Sequence, residues 1–120
     1  MNKKKIVVAD DEPNIRSLVS KLIDKDYIVI EATNGKEAVD IAKREKPDLI
    51  LMDLMMPEMD GYTACSIMKA DETTKAIPVI MLTGVGHELN KKLACEVGAS
   101  GYITKPFQLQ DLLNEIAKFS

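Results

Sequence analysis

Short apolar runs alternate along the whole chain with longer segments of helical periodicity. The apolar runs are rich in Val, Ile and Leu, and turn-forming or charged residues bound them. They predict strands at 5–9, 27–31, 49–52, 78–82 and 101–104. Several of these strands are apolar at every position, which is typical of a parallel sheet that is covered on both faces.

Each predicted strand is followed by apolar residues three and four positions apart, which indicates an amphipathic helix. The apolar stripes, meaning the apolar positions that share one face of each of the five predicted helices, are Ile15, Leu18, Val19, Leu22 and Ile23; Ala38, Val39, Ile41 and Ala42; Ala64, Ile67 and Met68; Leu89, Leu93 and Val97; and Leu109, Leu112, Leu113 and Ile116. We expect Asp11 to cap the first helix, with Pro13 in its first turn. Asn34 and Gly35 are expected to turn the chain into the second helix.

Five strand–helix repeats predict an α/β domain, a doubly wound (βα)5 three-layer sandwich with a parallel five-stranded sheet. The first, third and fourth strands are wholly apolar and belong in the centre, so the second and fifth are placed at the edges. This corresponds to strand order 2-1-3-4-5, in which ligands bind at the carboxyl ends of the strands near the switch point. The length of 120 residues predicts one domain over 1–120, with no output domain.

Composition narrows the classes of function. The net charge is −3 and the basic run at 3–5 is short, so there is no electrostatic footprint for nucleic acid. No apolar stretch approaches the roughly 20 residues that span a bilayer, and none resembles a signal peptide. Cys65 and Cys95 lack the spacing of a metal or redox pair and are expected to be reduced and buried. We therefore expect a cytoplasmic protein that binds neither membranes nor nucleic acid.

Charged and polar residues follow the strands at the predicted binding edge. The set comprises Asp10, Asp11, Glu12, Asp53, Thr83 and Lys105. Carboxylates that meet at one edge repel one another, and a hard divalent cation relieves that repulsion. Mg²⁺ typically combines one or two carboxylates with phosphate oxygens, which a lysine and a hydroxyl can also hold. The edge therefore predicts a site for Mg²⁺ and a phosphoryl group.

Four motifs at this edge make the chain resemble the receiver domains of response regulators. They are DDEP at 10–13, DLMMPEMDG at 53–61, TG at 83–84 and KPF at 105–107. The resemblance runs from Lys5 to about Ala117. It implies a two-component signalling protein in which Asp53 accepts a phosphoryl group from the phosphohistidine of a sensor histidine kinase or phosphotransfer protein. Such a domain promotes its own phosphorylation and dephosphorylation and is not an enzyme in the ordinary sense.

The resemblance also implies a set of ligands for the metal. Asp11, the Asp53 carboxylate and the backbone carbonyl of Met55 would hold Mg²⁺. Asp10 would act mainly through a metal-bound water. The four methionines at 52, 55, 56 and 59 are expected to pack beneath the loop and not to bind a soft metal.

A switch is implied in the same way. Thr83 and Lys105 would contact the phosphoryl oxygens, and Tyr102 matches the aromatic residue that turns inward when the Thr83 hydroxyl moves toward the phosphoryl group. The change would alter the surface of the fourth helix, fifth strand and fifth helix, where a downstream protein target binds.

Gly61 is expected to adopt backbone angles that other residues avoid. Glu115 stands where dimer-forming receivers carry an arginine, so we expect a monomer.

The residues at this edge leave three alternatives to a phosphorylated receiver domain, and each is disfavoured. A haloacid dehalogenase-type phosphatase is disfavoured because its D-x-D-x-T or D-x-D-x-V motif is absent from 10–14 and the chain is short. A flavodoxin-like FMN carrier is disfavoured because the acids at 10–12 would repel phosphate. A degenerate receiver is disfavoured because no site residue is missing. Chemotaxis and phosphorelay roles both remain open from the sequence.

Overall fold

The computed structural model describes residues 3–54, 56–83, 98–104 and 107–119, with Thr83 described in its backbone alone. The strands are β1 (Lys5–Ala9), β2 (Ile28–Ala32), β3 (Leu49–Asp53), β4 (Val79–Thr83) and β5 (Gly101–Thr104). The helices of the described residues are α1 (Pro13–Ile23), α2 (Gly35–Glu45), α3 (Gly61–Ala70) and a C-terminal helix (Leu109–Phe119). The predicted helix with Leu89, Leu93 and Val97 lies outside the described residues. Among the helices that are described, none has the length and apolar character that a membrane crossing requires.

The five strands form one parallel sheet in the order β2-β1-β3-β4-β5. This confirms the predicted fold class, and β2 and β5 are the edge strands as expected. Ala9 of β1 lies beside Met52 of β3 in the sheet register. The next residue on each strand, Asp10 and Asp53, therefore reaches the carboxyl edge of the sheet at the same level.

The sheet separates two apolar clusters, and alternate residues of β1 contribute to each. Val7 and Ala9 pack in the cluster beneath α2 and α3. Ile6 and Val8 pack in the cluster beneath α1 and the C-terminal helix. Because both faces of the central strands are covered, their fully buried positions are apolar until the chain reaches the carboxyl edge.

Some of the predicted apolar stripes are wider than the helix faces that the structure buries. Leu18, Ile67 and Leu109 are exposed. In α1 the buried residues are Val19 and Ile23, which are one turn apart. A helix that lies flat on a sheet buries a narrow strip, so the margin of the stripe remains in solvent.

Three strands have boundaries that differ by one residue from the sequence prediction. β2 begins at Ile28 because the Tyr27 N–H donates to the Ile23 carbonyl at 3.0 Å and closes the turn after α1. β3 extends to Asp53, which pairs with Leu82. β4 begins at Val79, one residue after Pro78, which has no N–H to donate.

The predicted cap of α1 is wrong, whereas the predicted start of α2 is confirmed. Glu12, not Asp11, is the N-cap of α1 and makes no side-chain cap bond. Pro13 sets the first helical residue, so the residue before it must be the cap. At α2, the Asn34 side chain accepts a hydrogen bond from the Glu37 N–H at 2.9 Å.

Candidate functional site

The loop after β1 brings three carboxylates together. Asp10 is fully buried, whereas Asp11 and Glu12 are exposed. One oxygen from each lies within 4.8 Å of the others. Like charges at that spacing repel one another strongly unless a cation lies among them. Sequence reasoning placed Glu12 at this edge but gave it no part in the metal site, and the structure adds it to the cluster.

Arg16 holds this acidic loop, in a contact that sequence reasoning missed. Its Nη1 donates to the Asp10 carbonyl at 2.7 Å, and its Nε donates to the Glu31 carboxylate at 3.2 Å. The Asp10 N–H donates to the Ala32 carbonyl at 3.1 Å, and the Asp10 carboxylate accepts the Glu12 N–H at 2.9 Å. The available signal was an arginine one helical turn beyond three consecutive acids. A guanidinium there offsets part of their repulsion.

Asp53 ends β3 on the strand beside this loop. It is buried, with 7% of its surface exposed, and it pairs with Leu82 of β4. Adjacent strands lie about 4.8 Å apart, so the two buried acids Asp10 and Asp53 occupy neighbouring positions at the carboxyl edge. Asp53 is not a member of the close group formed by the three carboxylates of the β1 loop.

Gly61 lets α3 begin directly against the backbone of β3. Its N–H donates to the Leu54 carbonyl at 2.9 Å. A Cβ at this position would lie 2.4 Å from the Asp53 carbonyl oxygen and 3.1 Å from the Leu54 Cα. The expectation of unusual backbone angles is wrong, because the positive φ among the described glycines belongs to Gly98. Space, and not conformation, requires glycine at position 61.

The remaining predicted site residues are described only in part. Thr83 ends β4 as expected and pairs with Thr104 of β5, which places both at the carboxyl edge. Lys105, directly after Thr104, lies outside the described residues, as does Met55. Their roles at the phosphoryl group and the metal therefore stay predictions.

Tyr102 has 43% of its surface exposed on β5. It lines a surface depression between β5 and the C-terminal helix, together with Glu115 and Lys118. The role of Tyr102 as a switch, including its inward turn, stays a prediction.

Shifted pKa values near the site have local causes. The pKa of Glu37 is lowered by hydrogen bonds from the Thr33 N–H at 2.7 Å and the Thr33 hydroxyl at 2.8 Å. Burial, with a smaller effect from Asp60, raises the pKa of Tyr62. Burial also raises the pKa of the Cys65 thiol. This thiol is fully buried and stays protonated, which agrees with its predicted role as a small apolar residue. Cys95 lies outside the described residues.

An open parallel sheet with buried acids at the ends of β1 and β3 defines a doubly wound α/β protein with a ligand site at the switch point. The family model of the response regulator receiver domain matches residues 6–117. The chain belongs to this family, as the sequence motifs indicated, and it is a receiver domain of two-component signalling.

Individual relatives agree with this assignment. The probable transcriptional regulator ycf27 of Porphyridium aerugineum is 42% identical over 113 residues, which cover 93% of this chain and 46% of that protein. The solved chemotaxis protein CheY4 of Vibrio cholerae has a TM-score of 0.92 and 31% identity, over 99% of this chain and 100% of that one. The chain spans about half the length of the first curated relatives that it matches.

A further solved relative contains the expected metal. The receiver domain of sensor histidine kinase PA1611 from Pseudomonas aeruginosa PAO1 has a magnesium ion in its active site cleft. It has a TM-score of 0.91 and 27% identity, and the match covers 98% of each chain. The all-oxygen donor set of the β1 loop in this chain fits Mg²⁺, which prefers carboxylate, carbonyl and water oxygens.

Proposed function

We propose that the domain accepts a phosphoryl group on Asp53 in an Mg²⁺-dependent reaction and thereby switches a protein-binding surface. The observation that carries the proposal is the position of buried Asp53 at the carboxyl edge, on the strand beside three clustered carboxylates. A buried acid next to so much negative charge is costly unless the site serves a cation and a reaction.

The reaction is a transfer from nitrogen to oxygen. An Asp53 carboxylate oxygen attacks the phosphorus of a kinase phosphohistidine, the phosphorus–nitrogen bond breaks, and the imidazole leaves. Bound Mg²⁺ would reduce the repulsion between the phosphoryl oxygens and the carboxylates. Asp11, Asp53 and the Met55 carbonyl would hold it. Asp10 is buried and its carboxylate already accepts the Glu12 N–H, which supports a role through water.

Thr83 and Lys105 are proposed to hold the phosphoryl oxygens. The pairing of Thr83 with Thr104 supports this, because it brings position 83 and the residue before Lys105 to the same edge as Asp53. Loss of the phosphoryl group by hydrolysis at the same site would reset the domain.

The proposed output is the binding of a downstream protein at the surface around β5 and the C-terminal helix. Tyr102 is exposed there beside the depression that Glu115 and Lys118 line. A monomer is proposed because Glu115 puts a negative charge where dimer-forming receivers carry an arginine. The Lys118 ammonium donates to the Glu115 carboxylate at 2.7 Å within the same helix, so this acid already has an intrachain partner.

Phosphorylation by acetyl phosphate with Mg²⁺, followed by intact-mass measurement, tests the proposal. We expect one added phosphate on the wild-type protein, none on Asp53→Asn and little on Asp11→Ala. Asp40→Asn is the matched control, because Asp40 is an exposed acid on α2, and it should be labelled like wild type. Equal labelling of Asp53→Asn and wild type would contradict the proposal.

A further inference from the structure

The junction between β2 and α2 contacts the loop that joins Asp53 to α3. The Gly35 N–H donates to the Met59 carbonyl at 2.9 Å. The Asn34 Nδ2 donates to the Glu58 carboxylate at 3.2 Å. We call the contact of Asn34 and Gly35 with Glu58 and Met59 the junction clasp.

The clasp is tight at Gly35. A Cβ on Gly35 would lie 2.4 Å from the Met59 carbonyl oxygen, 3.0 Å from the Asp60 carbonyl oxygen and 3.1 Å from the Ala64 Cβ. Two of these atoms belong to the backbone and cannot move without moving the loop. Any side chain at position 35 would therefore displace the loop from the start of α2.

Asn34 uses both ends of its amide. Its Oδ1 accepts the Glu37 N–H at 2.9 Å and caps α2, while its Nδ2 reaches across to Glu58. The residue is 9% exposed, so little water competes for these bonds. Asn34 thereby ties the loop to a helix terminus that is itself fixed against the sheet.

Glu58 adopts a conformation that needs outside support. Its φ is +65°, in the left-handed region that is uncommon for residues other than glycine, asparagine and aspartate. A strained backbone of this kind persists where surrounding contacts fix it, and such positions cluster at functional sites. The Asn34 amide and the Gly35 N–H supply contacts of that kind on either side of the Glu58–Met59 peptide.

We propose that Asn34 and Gly35 are positioning residues for segment 58–61, and through it for Asp53 and the Mg²⁺ site. The loop is fixed at one end by the contact of Gly61 with the backbone of Asp53 and Leu54. The clasp holds Glu58 and Met59 shortly before that point, so the backbone of segment 58–61 has little freedom. This inference rests on the proposed function, in which Asp53 is a ligand of the metal.

A polarity swap tests the clasp. Asn34→Asp keeps an oxygen that caps α2, because aspartate and asparagine are equally good caps. It replaces the donor to Glu58 with an acceptor, so two carboxylates face each other. Glu58→Gln alone keeps an acceptor for Asn34. The double variant restores the contact in reverse, with the new glutamine donating to the new aspartate.

The first readout is amide hydrogen exchange in the metal-free protein. Asn34→Asp should speed exchange at Gly35, Met59 and Gly61 about fivefold, the factor expected from losing one hydrogen bond of ordinary net strength. Glu58→Gln should remain near wild type, and the double variant should recover most of the protection. The thermal midpoint of Asn34→Asp should fall by only a few degrees, since the α2 cap is kept, and the double variant should recover it.

The second readout is Mg²⁺ affinity by calorimetry, where Asn34→Asp should weaken binding about fivefold and the double variant should restore it. An added negative charge by itself attracts a cation, so weaker binding would arise from loop position. Exchange and affinity like wild type in Asn34→Asp, or no recovery in the double variant, would overturn the inference. A wild-type protein that binds no Mg²⁺ would overturn the proposed function and the metal half of the inference, whereas hydrogen exchange would still decide whether the clasp holds the loop.

Discussion

Two loops build the carboxyl edge of the sheet, and they are held in place in different ways. The loop after β1 spans three residues and is secured by charge, with the Arg16 guanidinium on the Asp10 carbonyl. The loop after β3 is longer and is secured by close backbone approach at Gly35 and Gly61. The first loop carries clustered negative charge and therefore needs a cationic partner. The second must set backbone atoms at a fixed distance from Asp53, and glycine allows that approach.

The two loops should therefore lose their structure under different changes. Contacts between charges respond to salt and to the loss of an ionic group. Close packing responds to added volume and is indifferent to salt.

Gly61→Ala should cause the largest loss. Its Cβ would meet the Asp53 carbonyl oxygen at 2.4 Å, so we expect the free energy of unfolding to fall by about 2–3 kcal/mol, as for other overpacked sites. The loss should be the same at low and high salt. Urea unfolding measures it.

Gly101→Ala is the matched control for Gly61→Ala. The nearest atoms to its Cβ are the ends of the Glu115 and Phe119 side chains, at 3.0 and 3.4 Å, and both can move aside. Its effect should stay within about 0.5 kcal/mol. Equal losses in the two variants would show that close backbone approach is not what makes position 61 special.

Arg16→Met should destabilise the protein by about 1.5–2 kcal/mol, because it leaves the Asp10 carbonyl without its charged donor. The loss should shrink at high salt, unlike that of Gly61→Ala. Arg44→Met is the control, since Arg44 is 64% exposed and pairs only with its neighbour among the described residues. Denaturant unfolding at two salt concentrations provides the comparison. A salt-independent loss at Arg16 would argue against a loop that is secured by charge.

Ser20→Ala should stabilise the protein by roughly 0.5–1 kcal/mol. Among the described residues, the Ser20 hydroxyl is a buried polar group without a hydrogen-bond partner, and removing it relieves that cost. Mg²⁺ affinity should not change, which would separate overall stability from the geometry of the two loops. Ser17→Ala, at an exposed position on the same helix, should have little effect on the thermal midpoint. A destabilised Ser20→Ala would indicate a partner for the hydroxyl in solution.

Thr33→Val should have the smallest effect, on the pKa of Glu37. It removes the hydroxyl donor and keeps the backbone N–H, so the pKa should rise part of the way to its ordinary value. A carboxyl group with a lowered pKa stabilises the fold above its unfolded pKa, and this contribution is lost as the pH falls through its folded pKa. The variant should lose part of the contribution. An NMR titration measures the pKa of Glu37. Glu45 is the unchanged reference, because its hydrogen-bond partners are Lys5 and Arg44. An unshifted Glu37 would show that the hydroxyl contributes nothing.

Features that repeat with strand or helix period could be predicted from the sequence. The wholly apolar strands gave the sheet order, and the residues just after them gave the carboxyl edge with Asp10 and Asp53. Arg16 and the clasp at Asn34 could not be predicted in this way. Each depends on the distance between loops that follow different strands, and no period relates those segments.

The glycines show the same limit. Gly61 was singled out, but for its conformational freedom, whereas the structure requires it for space beside Asp53. A sequence pattern does not distinguish a glycine that is required for its backbone angles from one that is required for space, because both positions carry the same residue. The exposed Leu18 is a related case, since helical spacing shows which residues share a face and not how wide a strip the sheet covers.

Reductive trapping identifies the phosphorylated residue directly. Borohydride reduces an aspartyl phosphate to homoserine, which peptide mass spectrometry then locates in the chain. After treatment with acetyl phosphate and Mg²⁺, we expect homoserine at position 53 and nowhere else. Homoserine at Asp10 or Asp11 with an unchanged Asp53 would contradict the account.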